Sequence, residues 1–464
     1  MSCHGNNATA PSPAEAPGSE GIDPAAVARE IGLRGMDPRV RAIVPAFDAP
    51  FFQAGLAGYS DAAMRLIARR HGCPFCVTEA LLDRMLLGGG RGFDKADLEL
   101  IRDNIPSGED DLPLAGQIIG SDPDEMAASA LKMIEQGARS DHSYRQMAYA
   151  ATGLPETGTD PRMREWARLK AGGLNAEGAE NSELEEASRN VDEESCGDVI
   201  LGQLEDVERD GPRPERVRSA SPDTPVSSSF TVIDVNLACP VKKIKSKGRG
   251  GHWLSEPDGA IEILRAVRQA VPSEVPCTVK LRRAFDDTPE QARNFDRIFD
   301  AVFELGYAWA TVHARTVEQK YMGPSRWPFL RDLVKRRPDC VVFGSGDVWE
   351  VADIFRMMAY TGVSGVSVAR GCIGNPWIFR QAREMMAGKP PAAPTIAEQR
   401  AALEDHFKIS VRVNGERAAG KMMRKFGIRF AAHHPRSEEV RLRMIAVASV
   451  DDWMKVLDDF YRAE

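Results

Sequence analysis

No stretch of this 464-residue chain strings together the roughly 18–20 apolar residues that a membrane helix needs. No membrane role is therefore expected. The first 24 residues are rich in Ala, Pro, Ser, Gly and Asn and lack a basic segment followed by an apolar one, so export is not expected. Cysteine is sparse. The eight, Cys3, Cys73, Cys76, Cys196, Cys239, Cys277, Cys340 and Cys372, are scattered, which suits a reducing cytosol better than a disulfide framework. Cys73 and Cys76 form a lone Cys-x-x-Cys with no second Cys pair or close His pair to complete a zinc site, so they read as structural and no metal is expected. No Gly-x-Gly-x-x-Gly follows a first strand, which argues against a Rossmann nicotinamide site.

What is present is an ordinary globular composition, 43% apolar and 28% charged. Residues 1–40 read as a disordered leader carrying a short helix at 25–31. From 41 onward, eight strand-like runs (50–54, 75–79, 114–118, 232–236, 277–281, 309–313, 341–344 and 365–369) alternate with amphipathic helical runs at 61–70, 123–136, 257–271, 289–305, 327–336 and 348–358. Alternating β and α with eight strands predicts a (β/α)8 barrel, an α/β fold, over 41–390. Residues 140–229 break the rhythm. They hold 19 acidic and 10 basic residues, a net of −9 against −8 for the whole chain, so the remainder is close to neutral. Their Gly, Ser, Glu, Asp and Pro bury little, and a largely disordered acidic insertion is expected there, between a helix and the next strand. Beyond residue 391 the pattern is purely helical (395–413, 416–430, 437–447, 450–462), predicting a small C-terminal helical domain. One helix carries Arg417, Lys421, Arg424, Lys425 and Arg429, either a solvated face or a phosphate-binding one.

The most informative stretch is Val-Ile-Asp-Val-Asn-Leu-Ala-Cys-Pro-Val-Lys-Lys, residues 232–243. A short buried strand ends near Asn236, and Cys239 follows on the loop, fixed by Pro240. Barrel enzymes keep their chemistry at such strand ends. The other strand ends also carry polar or glycine-bearing elements: Gln117, Lys280 with Arg282, His313 with Arg315, Ser345-Gly346-Asp347 and Ala369-Arg370. A lone strand-end His or Lys is usually structural, but six such elements in register are hard to obtain by chance. The spacing points to a bound flavin mononucleotide, FMN. Glycines in the loops after strands seven and eight let backbone N–H groups reach phosphate, and Arg370 adds charge. Lys280 can face the end of the flavin ring where negative charge builds on reduction. Gln117 can bond the ring's polar edge, and His313 a ring edge or the ribityl chain. NADPH or NADH would then visit as a diffusible reductant.

These motifs resemble those of the tRNA-dihydrouridine synthase family, in the bacterial type with a helical C-terminal domain. The resemblance is carried by Leu56-Ala57-Gly58-Tyr59-Ser60-Asp61, Gly120-Ser121-Asp122-Pro123, the 234–243 stretch, Val-Lys-Leu-Arg at 279–282 and Val-His-Ala-Arg-Thr at 312–316. Gln-Lys-Tyr-Met-Gly at 319–323 and Gly-Cys-Ile-Gly-Asn-Pro-Trp-Ile-Phe at 371–379 add to it. It covers about 45–138 and 230–460. It implies FMN-dependent reduction of tRNA uridines to 5,6-dihydrouridine in the cytoplasm by a monomer, with Cys239 protonating C5. It also implies flavin contacts from Gly55, Leu56, Ala57, Gln117, Lys280, Ser345, Gly346, Asp347, Ala369 and Arg370, with His313 beside the flavin. Asn236 and Arg315 would hold the uracil, which must leave its stack to react. The loop with Lys242 and Lys243 and the helix with Arg424 and Lys425 would grip the tRNA.

The chain departs from the family pattern in four places. Gly55-Leu56-Ala57-Gly58 stands for Pro-Met-Ala-Gly, Ser345 for an Asn, and Ala369 for a Gly. A bulky Gly250-Gly251-His252-Trp253-Leu254 replaces a loop of small residues. Contacts made by backbone should survive these changes. Two other readings compete: a flavin barrel reducing a free pyrimidine, and a non-catalytic RNA-binding barrel. The lysine cluster after Cys239 opposes the first, and the intact acid and flavin set opposes the second.

Overall fold

The computed structural model describes residues 21–87, 109–135, 230–240, 248–414, 416–447 and 449–462. The expected acidic insertion, 140–229, lies outside the described residues, as do Lys242 and Lys243.

Among the described residues nine short strands are all paired in parallel: β1 Phe51–Gln53, β2 Cys76–Val77, β3 Leu81–Leu82, β4 Leu114–Ile119, β5 Val232–Leu237, β6 Cys277–Arg282, β7 Trp309–His313, β8 Val342–Ser345 and β9 Gly365–Val368. β1 pairs with both β2 and β9, and β2 with β4, so the sheet closes on itself. β3 lies against the upper part of β4, with Leu81 opposite Ile118. It continues the path of β2, so the barrel has eight staves, the second of them interrupted. The predicted (β/α)8 barrel is therefore present. The expected strand at 75–79 is the one the structure splits: Thr78 bonds its neighbour through its side chain, Gln117 N–H donating to Thr78 Oγ1.

The helices between strands form where the sequence supplies a start signal and an apolar stripe. α1 (Pro24–Arg34) and α2 (Pro38–Ile43) each begin with an Asp N-cap and a proline in the first turn. They pack on the barrel through Ala28, Ile31 and Val40, so the barrel domain begins before residue 41. α3 (Ala62–Arg70), α4 (Asp83–Leu86), α5 (Pro123–Glu135), α6 (Pro257–Ala270), α7 (Pro289–Glu304), α8 (Trp327–Arg336), α9 (Val351–Thr361) and α10 (Trp377–Met386) follow. In α7, capped by Thr288, residues Phe295, Ile298, Phe299 and Val302 recur at helical spacing and are buried. α10 was not expected. Its Asn-Pro-Trp start reads as a loop, yet Trp377, Ile378 and Phe379 are fully buried against the barrel.

The barrel interior is graded. Its lower end is an aromatic plug of Phe47, Phe52, Phe75, Trp309 and Phe343, closed from below by Met36, Val40 and Val44. Above it the inward side chains turn polar, at Gln117, Asp234, Thr278, Lys280, Thr311 and Ser367. The apolar end supplies stability, and the polar end opens toward the strand C-termini, where barrels bind ligands.

Four helices close the chain: α11 Ile396–Asn414, α12 Glu416–Phe430, α13 Ser437–Ile445 and α14 Val450–Phe460. α11 docks on α3, joining Ile409 and Val413 to Ala63, Leu66 and Ile67. α3 is in turn fixed by a fully buried pair, Arg65 Nη2 to Asp111 Oδ2 at 2.7 Å and Nε to Oδ1 at 3.1 Å. Removing one partner of such a pair typically costs about 3–5 kcal/mol, because the other is left charged and buried.

Candidate active site

At the strand C-terminal ends lies an open cavity of about 1050 Å3. Its wall includes Gly55, Leu56, Ala57, Gln117, Asn236, Cys239, Lys280, His313, Ser345, Gly346, Asp347, Ala369 and Arg370. These residues come from seven of the eight staves and are separated by more than 300 positions in the chain. Tyr59, Arg282, Tyr321 and Trp349 complete the wall and were not assigned a role from sequence.

The loop bearing Cys239 is held from three sides. Asn236 Oδ1 accepts from the N–H groups of Ala238 and Cys239, both at 3.0 Å. Arg282 Nε donates to the Ala238 carbonyl at 2.9 Å, and its Nη1 donates to the carbonyls of Thr316 and Lys320. The Gly251 N–H donates to the Cys239 carbonyl at 2.9 Å. A Cβ on Gly251 would stand 2.9 Å from that same oxygen, so the departure that keeps two glycines before His252 and Trp253 preserves the approach. Beneath the loop, Asn236 Nδ2 donates to Gln117 Oε1 at 2.7 Å, and Gln117 Nε2 donates to Asp234 Oδ2 at 2.6 Å. Asn236, expected to hold a substrate, has both ends of its amide engaged within the protein.

The electrostatics of the wall follow from burial. Lys280 is pulled below the usual ammonium range by burial, partly offset by the Asp234 carboxylate and by Cys239. Asp234 is pushed up by burial, against the bonds from Thr278 and Gln117. His313 is held well below the ordinary imidazole value by burial and then by Arg282, Arg315, Lys280 and Arg370, so it is neutral at physiological pH. Its Nδ1 accepts from the Arg315 N–H at 3.3 Å, which leaves the proton on Nε2 as a donor.

An FMN-sized group fits these residues. Turns after β8 and β9 meet so closely that a Cβ on Gly371 would lie 2.3 Å from the Val348 carbonyl, and Gly346 adopts φ +113°. Arg370 lies over Trp349 at 4.4 Å and Tyr321 at 5.0 Å, which places a cation at the cradle. Among the described residues, Lys280 Nζ has no ion-pair partner, so an anionic ring edge would complete it. The Asp347 carboxylate accepts from Arg315 Nη2 at 2.7 and 2.8 Å and from the Ser325 N–H at 2.6 Å, and its Oδ1 lies 3.9 Å from Arg370 Nη2.

Three expected residues sit elsewhere. Arg315 is buried, bonded to Asp347 and to the Gly323 carbonyl, and does not line the cavity. Lys425 reaches the Gly58 carbonyl and lies 4.6 Å over the Tyr59 ring, at the cavity rim. Arg424, one residue earlier, is exposed. The side chains of Arg417 and Lys421 lie outside the described residues. Cys73 and Cys76 are buried free thiols with sulfurs 3.8 Å apart.

Fold and site together define a parallel barrel with a polar, cysteine-bearing cavity at its strand C-termini. The sequence profile of the dihydrouridine synthase family matches residues 224–463, and the chain belongs to that family. The match takes in β5 to β9 and the C-terminal helices, while Gly55, Leu56, Ala57 and Gln117 precede it. Relatives include a probable tRNA-dihydrouridine synthase of Mycobacterium leprae (strain TN), 32% identical over 47% of this chain and 57% of that protein. Another, from Mycobacterium tuberculosis (strain CDC 1551 / Oshkosh), is 29% identical over 54% of this chain and 66% of its own. The chain thus spans less than two thirds of these relatives' length. Among solved structures, a 2-naphthoyl-CoA reductase aligns over 73% of this chain and 50% of its own at 10% identity, with a TM-score of 0.39. No described helix is long and apolar enough to cross a membrane.

Proposed function

We propose that this chain reduces specific uridines of tRNA to 5,6-dihydrouridine, with FMN as cofactor, NADPH or NADH as reductant and Cys239 as general acid. The observation that carries the reading is the position of Cys239 on the wall of a cavity whose other walls hold Lys280 and His313. When bound, FMN would supply the two electrons, taken from the nicotinamide, that saturate the C5–C6 bond of the uracil. Gly55, Leu56, Ala57, Gln117 and Lys280 would hold its ring, His313 would donate through Nε2, and Ser345, Gly346, Asp347, Ala369 and Arg370 would cradle its phosphate. The Lys280 cation stabilises negative charge at its end of the site, where low dielectric makes it count. Cys239 Sγ–H gives its proton to C5, quenching the enolate-like charge that reduction leaves on carbon. The target uridine must be extruded to reach this depth, and the helix bearing Arg424, with the loop bearing Lys242 and Lys243, would hold the tRNA backbone. Such a substrate implies action in the cytoplasm, and we take the chain to act as a monomer.

Cys239→Ala tests the reading. Flavin content, tRNA affinity and flavin reduction by NADPH should persist, while dihydrouridine yield falls by about 100-fold or more, the usual worth of a positioned acid. Wild-type yield from Cys239→Ala would falsify the assignment. Parallel assays with free uridine and with tRNA separate this activity from reduction of a small molecule.

A further inference from the structure

The buried carboxylate of Asp234 lies under the cavity floor and has no part in the chemistry above. It is 5% exposed and accepts one short bond at each oxygen, from Thr278 Oγ1 and from Gln117 Nε2, both at 2.6 Å. A carboxylate in this setting only accepts. Gln117 must therefore turn its NH2 toward Asp234, and its Oε1 away. That oxygen meets Asn236 Nδ2 at 2.7 Å, so Asn236 in turn faces its own oxygen outward, onto the N–H groups of Ala238 and Cys239. Each amide has two orientations, and the carboxylate selects one for the whole chain. Strand register puts the members side by side, Gln117 opposite Asp234 and Asp234 opposite Thr278.

We infer that Asp234 is a positioning residue, which acts through Gln117 and Asn236 to set the backbone at Cys239 and so the direction of its thiol into the cavity. The inference deepens the functional reading, resting on Cys239 as proton donor. Buried side-chain relays of this kind are coupled, so breaking one end propagates to the other. Burial raises the Asp234 proton affinity, and the Thr278 and Gln117 donors and the Lys280 ammonium nearby work against it, in favour of the ionised carboxylate.

The thiol itself provides the readout, without turnover. In Asp234→Leu, which removes the acceptor, the rate of Cys239 alkylation by iodoacetamide as a function of pH should shift by about threefold or more, the scale of coupling within one network. Deuterium exchange at the 238–239 amides should rise with it. Cys340, half-buried and remote, serves as the internal control and should not change. Asp234→Asn can still present an oxygen to Gln117, and should return the profile toward wild type. Gln117→Leu cuts the relay one step nearer the thiol. It should reproduce Asp234→Leu, and the double variant should add nothing. An unchanged Cys239 profile and unchanged exchange in Gln117→Leu would overturn the relay, even where Asp234→Leu does not fold. A wild-type protein that makes no dihydrouridine would sink the functional reading and leave this test standing.

Discussion

At the scale of single residues, the site depends as much on missing side chains as on reactive ones. Gly371 shows it most directly. A Cβ there would lie 2.3 Å from the Val348 carbonyl and 3.1 Å from Trp349 Cα, both backbone atoms that cannot swing aside. Gly371→Ala must therefore push apart the turns after β8 and β9. We expect a fold destabilised by about 1–3 kcal/mol, and a protein that retains less flavin on gel filtration than wild type. Full retention of flavin at wild-type thermal stability would show that these turns do not form the cradle. The glycines and strand-end polar residues were legible because chemistry at a strand end leaves a local signature. Asp234 and Arg282 stand inside the same motifs, yet their roles are not legible there. An inward polar residue one layer below the cavity has the same alternation as any strand residue, and only closure of the barrel shows which neighbours it meets. Arg315 shows another limit of strand-end reading, since its buried partner Asp347, at 2.7 Å, lies 32 positions away in the chain.

At the scale of elements, the contact between α11 and α12 contains a titratable group. His406 on α11 is 2% exposed, packs at a tilt against Phe426 of α12 with ring centroids 4.4 Å apart, and neither ring nitrogen has a hydrogen-bond partner among the described residues. Burial, with Lys425 nearby, pushes its pKa down to about 3. The unfolded chain titrates near 6.5, so below that pH it takes up a proton the folded state refuses. Stability should therefore fall as pH drops, by about 2 kcal/mol between pH 7 and pH 5, and keep falling until the folded pKa is reached. His406→Leu removes this contribution. Its melting temperature should decline less than that of wild type over the same interval, and equal slopes for the two proteins would place the acid sensitivity elsewhere. Element boundaries were mostly readable, because fully buried parallel strands run in β-branched residues and the helices carry caps and apolar stripes. The division of the second stave into β2 and β3 was not, since it accompanies the Gln117 N–H donating to the Thr78 side chain, a contact that only pairing with β4 reveals. α10 was missed because its start, Gly-Asn-Pro-Trp, combines turn residues with an aromatic that packs against His71 and against Phe430 and His433 of the C-terminal helices.

At the scale of the whole molecule, charge is unevenly divided. The expected insertion carries −9 of a total of −8, and the remainder is nearly neutral. A polyanion must then be bound by local cations, and any acidic segment near its path works against binding. The described chain leaves the barrel at the C-terminal end of α5 and returns at the start of β5. Both points lie at the strand N-terminal end, opposite the cavity. Deleting 140–229 and joining the ends by a short Gly/Ser linker should leave a soluble protein that binds flavin. Its tRNA affinity should equal or exceed that of wild type at low salt, since the net charge moves from −8 to near zero. The gain should vanish at high salt, where the charges are screened. Within this shortened chain Arg424→Glu should weaken tRNA binding and reduce the slope of affinity against salt by about one, without altering flavin content. Arg424 is exposed, whereas its neighbour Lys425 is turned to Gly58 and Tyr59 at the rim, so the single substitution tests the RNA contact without loosening the domain. Loss of soluble flavoprotein on deletion would mean that 140–229 is part of the packed structure. An unchanged salt slope in the Arg424 variant would remove that helix face from the tRNA path and leave recognition to the loop around Cys239.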